Sequence, residues 1–200
     1  MNKILLAVAV SVTSLVLSGC ASTLMRDGSA RQIAQSNPDR VNIVFMRSSL
    51  VAGAIGCELF EVVNGELRFI GQLPTGNKVV YETTPGDKVF MAYGTAADFM
   101  LAKVVGGKTY YSIVRPNWGT GGFAPTPIRG SSSTEPDLKS KEFQDWLSGT
   151  KSIEPNENAP AWFASNKERL QKIYAEYWSR FERKTNEEKA ARTLMPKDGQ

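Results

Sequence analysis

From Val41 onward the chain is built from short apolar runs. VNIVFMR (41–47), CELFEVV (57–63), ELRFIGQL (66–73), KVVYETT (78–84), DKVFMAYG (87–94), DFMLAKVV (98–105) and KTYYSIV (108–114) are rich in β-branched and aromatic residues, each bounded by Gly, Pro or Asn. Seven such runs in succession predict seven short strands, and with them an all-β sandwich or barrel. The breaks between runs carry turn chemistry. Asn64-Gly65 is the commonest pair for a type I′ hairpin, because both positions need positive φ. In Thr84-Pro85-Gly86-Asp87 the proline presets one φ and the glycine supplies the other sign, and Gly106-Gly107 marks a third reversal. Within VVYETT, Val79, Tyr81 and Thr83 point one way while Val80 and Glu82 point the other, which predicts one wet face.

Beyond Val114 the pattern breaks. The prolines and glycines of RPNWGTGGFAPTPIRGSSSTEP predict a long loop carrying two aromatics, Trp118 and Phe123, with 123–128 able to add an edge strand. DLKSKEFQDWLSG (137–149) predicts a short helix stopped by Gly149, and TKSIEPNEN (150–158) a linker. Pro160 then opens a long helix with Asn158 near its cap. In that helix Phe163, Leu170, Tyr174, Tyr177, Trp178 and Phe181 recur at spacings of 3, 4 and 7 and form one aromatic stripe. Past Lys184 the stripe stops, and NEEKAARTLMPKDGQ predicts a fraying end. Upstream, residues 21–40 lack strong periodicity and end in the turn Asn37-Pro38-Asp39, which predicts a tether with one helical turn around Ile33.

The first residues follow a different logic. Lys3 is the one charge before ILLAVAVSVTSLVL (4–17), which carries none. At about 14 residues this run falls short of the roughly 20 that a permanent membrane helix needs, so a cleaved export signal is expected. Leu17-Ser18-Gly19-Cys20 resembles the bacterial lipobox, in which small residues precede an obligatory cysteine. By that resemblance the Cys20 thiol takes a diacylglycerol, a peptidase cuts before it, and the new amino group is acylated. Several acyl chains hold firmly because each buried methylene contributes about 0.8 kcal/mol and one chain alone is marginal. Ala21 follows Cys20 where enteric inner-membrane retention signals have aspartate, so the expected address is the periplasmic face of the outer membrane. Residues 1–19 are then the signal peptide, 20–40 the tether, 41–130 the sandwich and 131–200 a helical C-terminal extension.

Composition narrows the chemistry. The chain has no histidine, which excludes Ser-His-Asp triads, Cys-His dyads, histidine-ligated zinc and histidine proton shuttles. With Cys20 lipidated, Cys57 has no partner for an intramolecular disulfide and is expected as a buried thiol. Lys and Arg number 24 against 20 Asp and Glu, and Lys3 lies in the signal, so the mature excess is too small to argue for nucleic acid. No cofactor and no metal are called for. Gly107-Lys108-Thr109 imitates the end of a phosphate-binding loop, but Ala102 stands where the first glycine belongs and strands flank the motif. Paired carboxylates, which need no histidine, remain open to a glycosidase-like enzyme, but Glu58 and Glu61, three apart in a strand, are expected on opposite faces, Glu135 and Asp137 lie in a loop whose geometry the sequence does not give, and all four are expected as ordinary solvated acids.

The middle of the chain, from VNIVFMR through TTPGDKVF to VVGGKTYYSIVRP, resembles a family of β-domains of unknown activity found in bacterial lipoproteins. The shared features are an opening strand ending in Arg, a Pro-Gly turn after a hairpin and a Gly-Lys-Thr-Tyr-Tyr strand. They span about 80 of 200 residues, and Asp87-Lys88 departs from the pattern after the Pro-Gly turn. The resemblance implies a sandwich of transthyretin-like or Ig-like style and no activity. The reading is therefore a mainly β chain, a small antiparallel β-sandwich with a C-terminal α-helical extension. Anchored to the membrane through lipidated Cys20, it is expected to act as a non-enzymatic interaction or scaffold module. Tyr174, Tyr177, Trp178 and Phe181 either pack on a sheet or face an envelope protein partner. In an alternative reading, Trp118 and Phe123 of the 115–130 loop bind a periplasmic glycan or peptide; otherwise they cover an open end of the sandwich.

Overall fold

A computed structural model describes residues 24–28, 37–49, 53, 55–133 and 135–200. Strands β1 (Met25–Asp27), β2 (Val41–Arg47), β3 (Glu58–Val63), β4 (Glu66–Gln72), β5 (Asn77–Thr83) and β6 (Gly86–Tyr93) lead into β7 (Ala97–Val104), β8 (Thr109–Asn117) and β9 (Gly122–Pro127). Helix α1 (Lys141–Gly149), strand β10 (Lys151–Pro155), helices α2 (Ala159–Glu182) and α3 (Asn186–Ala191) and strand β11 (Thr193–Leu194) complete the chain. The strands form two sheets, ordered β1-β10-β5-β2-β8-β9 and β11-β7-β6-β3-β4. All seven runs read from the pattern are strands, and the 123–128 segment is the edge strand β9, paired with β8.

VNIVFMR is apolar at most positions because β2 is covered on both sides. Ile43 and Phe45 point between the sheets, where they join Leu59, Phe90, Met100 and Tyr110. Val44 and Met46 point outward and join Tyr111 and Ile113 beneath Phe143 of α1. The second sheet has the same two-sided character: Phe60, Met91 and Phe99 face outward and pack under Leu170 and Phe181 of α2. The layers thus run α1, first sheet, second sheet, α2. Asn64 (φ 52°) and Gly65 (φ 81°) both adopt the left-handed backbone that the β3–β4 hairpin needs.

Several local expectations are corrected. Residues 151–155 are not a linker: β10 fills the gap between β1 and β5, burying Ile153. The tail after Lys184 is ordered into α3, β11 and a short 3-10 turn, with Leu194 and Asp198 buried. Thr185 and Glu188 cap α3 reciprocally, at 3.2 and 2.7 Å. The tether expected over 20–40 is already structure at Leu24 and Met25, both buried, while the turn around Ile33 lies outside the described residues. Asn158 makes no side-chain cap; its carbonyl accepts the Trp162 N–H instead. Nor is the sandwich purely antiparallel, since β2–β8, β5–β10 and β7–β11 pair in parallel. The chain leaves β2, builds most of the other sheet and returns at β8, so that pair is joined by a crossover and not a hairpin.

Candidate functional site at the Trp118 end

Asn117 closes β8 and organises the turn that follows. Its carbonyl accepts the N–H groups of Thr120 (3.2 Å) and Gly121 (2.8 Å), and its Oδ1 accepts the N–H of Gly119 (3.1 Å). Gly121 takes the positive φ (75°) that reverses the chain into β9. Thr95 Oγ1 donates to the Gly121 carbonyl, and a Cβ on Gly122 would meet the Ala96 carbonyl oxygen at 2.3 Å, so the hairpin tip is seated on the β6–β7 turn. Beneath it the buried Asp98 carboxylate accepts from its neighbour Phe99 N–H (2.8 Å), from Asn117 Nδ2 (2.7 Å) and from Arg192 (3.2 Å).

The structure parts the two loop aromatics. Phe123 is 2 % exposed, lies in the core between the sheets and carries the Arg47 guanidinium 4.1 Å from its ring centroid. It closes the upper end of the sandwich and offers no face to a ligand. Trp118, by contrast, is 81 % exposed. It rims a groove of about 480 Å³, walled by Arg115, Ala124, Thr126, Glu135 and Arg192. Arg115 and Glu135 pair across it at 2.8 Å. A smaller cleft lined by Gly119 and Thr120 of the same turn lies against Tyr177 and Arg180 near the end of α2 and Lys184 just beyond it. An exposed indole with forked donors and a carboxylate beside it suits the stacking and hydrogen bonding that a sugar or peptide offers.

The aromatic stripe packs within the molecule. Trp178 and Phe181 lie 5.1 and 5.4 Å from the Phe99 ring, Tyr174 lies 6.0 Å from it, and Phe163 stacks on Phe69 at 5.9 Å. Tyr177 is half-buried near Arg180, whose guanidinium sits 4.7 Å above its ring.

The carboxylates are bound up in the fold. Glu61 faces inward opposite Phe90, and Glu58 lies opposite Tyr93 under α2, so they do occupy opposite faces. Buried Glu61 accepts from Tyr81 Oη (2.6 Å) and Thr83 Oγ1 (3.0 Å) and pairs with Lys88 (3.2 Å) and Arg68 (3.7 Å). Burial, then the Glu61 carboxylate, pushes the Tyr81 phenol above its ordinary pKa. Burial also raises Glu58, against a hydrogen bond from Gln72. The backbone N–H groups of Lys139 and Ser132 hold half-buried Asp137 below the usual carboxylate range, so that acid serves its own turn. Gly107-Lys108-Thr109 is a reversal into a strand, and Lys108 donates to the carbonyls of Gly199 (3.1 Å) and Pro196 (3.4 Å).

Arg192 and Asp98 escape a reading of the sequence. Arg192 sits in the tail that lacks periodicity, and Asp98 is an ordinary acid at a strand start until the fold joins them. Cys20 lies outside the described residues. Among those residues no helix is long and apolar enough to cross a membrane. No protein-family model matches the chain, and no curated protein matches it.

Proposed function

We propose that the protein is a lipoprotein of the bacterial envelope, anchored by acylated Cys20 in the periplasmic face of the outer membrane, whose domain acts as a non-enzymatic interaction or scaffold module. The observation that carries this reading is the uncharged run 4–17 ending at Leu17-Ser18-Gly19-Cys20. The absence of histidine and the commitment of Glu61 and Asp98 to internal partners support a role without catalysis. Because α2 spends its rings on the second sheet, the partner surface is assigned to the Trp118 end and not to the stripe. Cys20→Ala should move the protein from the membrane to the soluble fraction with an unchanged melting temperature. Labelling of that variant by a palmitate analogue would overturn the anchor. In-cell crosslinking through residues near Trp118 tests the scaffold role, and capture of a discrete envelope protein is the expected result.

A second reading, a glycan- or peptide-binding module, is favoured by the exposure of Trp118 beside the Arg115–Glu135 groove. Muropeptides should then change the tryptophan emission of the wild type in a saturable way and leave Trp118→Phe unchanged. An unchanged wild-type spectrum returns the weight to a protein partner.

A further inference from the structure

Three residues, Ala21-Ser22-Thr23, separate Cys20 from Leu24. Whatever their conformation, they cannot span more than about 14 Å. Leu24 is fixed: it is 5 % exposed, and its carbonyl accepts the Asn156 N–H at 3.0 Å. Met25, Arg26 and Asp27 pair with Pro155, Glu154 and Ile153, and Met25 enters the core. The acylated end is thus stitched to the domain at an edge strand, with no long stalk between them.

Strand register fixes which end this is. Arg47, Asn77 and Lys151 share one level at the upper end of the first sheet, and β10 runs down from Lys151 to Pro155, the partner of Met25. Strand β8 runs the opposite way, from Thr109 beside Asn42 to Asn117. From Tyr110 to the Trp118 turn is eight residues of strand, about 26 Å at 3.3 Å per residue. The lower end carries the turns 37–40 and 105–108 and the segment after β11. There Val105 (46 % exposed) and Met195 (36 %) flank Tyr110, whose hydroxyl accepts the Val105 N–H at 3.0 Å and donates to the Pro196 carbonyl at 3.4 Å. Exposed Lys103 and Lys197 stand beside them.

We propose that the acylated protein rests directly on the bilayer with this lower end against the lipid headgroups, so that the Trp118 groove faces away from the membrane. The proposal rests on acylation of Cys20. Exposed aliphatic side chains with lysines around them match the headgroup boundary, where apolar groups dip inward and ammonium groups stay wet. The short connection keeps that end within reach of the surface.

The test uses the full-length acylated protein in phosphatidylethanolamine and phosphatidylglycerol vesicles. Bimane is placed at Val105→Cys, Met195→Cys or Trp118→Cys, one site per sample, with a nitroxide lipid as quencher. Cys57 is buried and Cys20 is consumed by lipid, so the probe reports the chosen position. Loss of emission at 105 and 195, with emission kept at 118, is the expected result. A flexible Gly-Ser spacer of about 20 residues between Thr23 and Leu24 adds about 25 Å of reach and should restore emission at 105 and 195 while the protein stays vesicle-bound. Quenching at 118, or at none of the three sites in protein whose mass shows the acyl chains, overturns the orientation. A mass without acyl chains overturns the anchor itself, a separate outcome.

Discussion

Arg47 ends β2 fully buried, its Nη1 donating to the carbonyls of Ile55 (2.8 Å) and Leu73 (3.0 Å) and its guanidinium lying on Phe123. These contacts make Phe123 a structural ring, whereas Trp118 a few residues away meets solvent. Phe123→Ala should therefore cost about 3–5 kcal/mol in urea unfolding, and Trp118→Ala no more than about 0.5 kcal/mol. Cys57 gives a pH-dependent prediction. Burial pushes its thiol from 9.0 up to about 12, so the folded chain keeps a proton that the unfolded chain releases above pH 9. Its contribution is complete below pH 9 and is lost as pH rises toward about 12, at a slope of up to about 1.4 kcal/mol per pH unit. Unfolding free energies measured on both sides of that threshold should fall more steeply for the wild type than for Cys57→Ala.

At the scale of elements, α2 shows why a stripe alone does not reveal its occupant. The spacing of Leu170, Tyr174, Trp178 and Phe181 is the same whether a sheet or another protein covers it, and only the outward-facing Phe60, Phe69 and Phe99 decide. Leu170→Ala should lower stability by about 3 kcal/mol and Trp178→Ala by about 2 kcal/mol, read from thermal or urea unfolding. An unchanged melting temperature for both would mean that the helix does not dock in solution. The strands β2 to β9 were legible because each carries its own apolar run and its own turn residues. Strand β10 was not, since Ile153 is the one apolar side chain that KSIEP buries and neighbouring strands supply the rest of its pairing. The capping box Thr185–Glu188 was a readable signal for α3, obscured because no apolar stripe follows it.

On the scale of the whole molecule, the C-terminus acts as a clasp. Arg129 donates to the carbonyls of Ala190 (2.8 Å), Ala191 (3.2 Å) and Thr193 and pairs with buried Asp198 (3.3 Å). Asp198 also accepts the N–H groups of Gly130 (3.0 Å) and Met195 (2.8 Å), and Gln200 exchanges two backbone hydrogen bonds with Thr109. Asp198→Ala removes the counter-ion of partly buried Arg129 and the acceptor of two N–H groups, and should cost about 3 kcal/mol by denaturant unfolding. The sequence by itself determined the β-rich class, the hairpin turns, the excluded histidine chemistries and the opposite faces of Glu58 and Glu61. These follow from period, φ preference and residue type, all properties of neighbours along the chain. Only the tertiary structure decided that Phe123 is core while Trp118 is surface, that α2 covers a sheet, and that Met25–Asp27 and the last residues are built into the domain. Those outcomes depend on partners far apart in the chain, such as Arg26 and Glu154 at 128 positions, joined because the folded sheets leave edges and ends to cover.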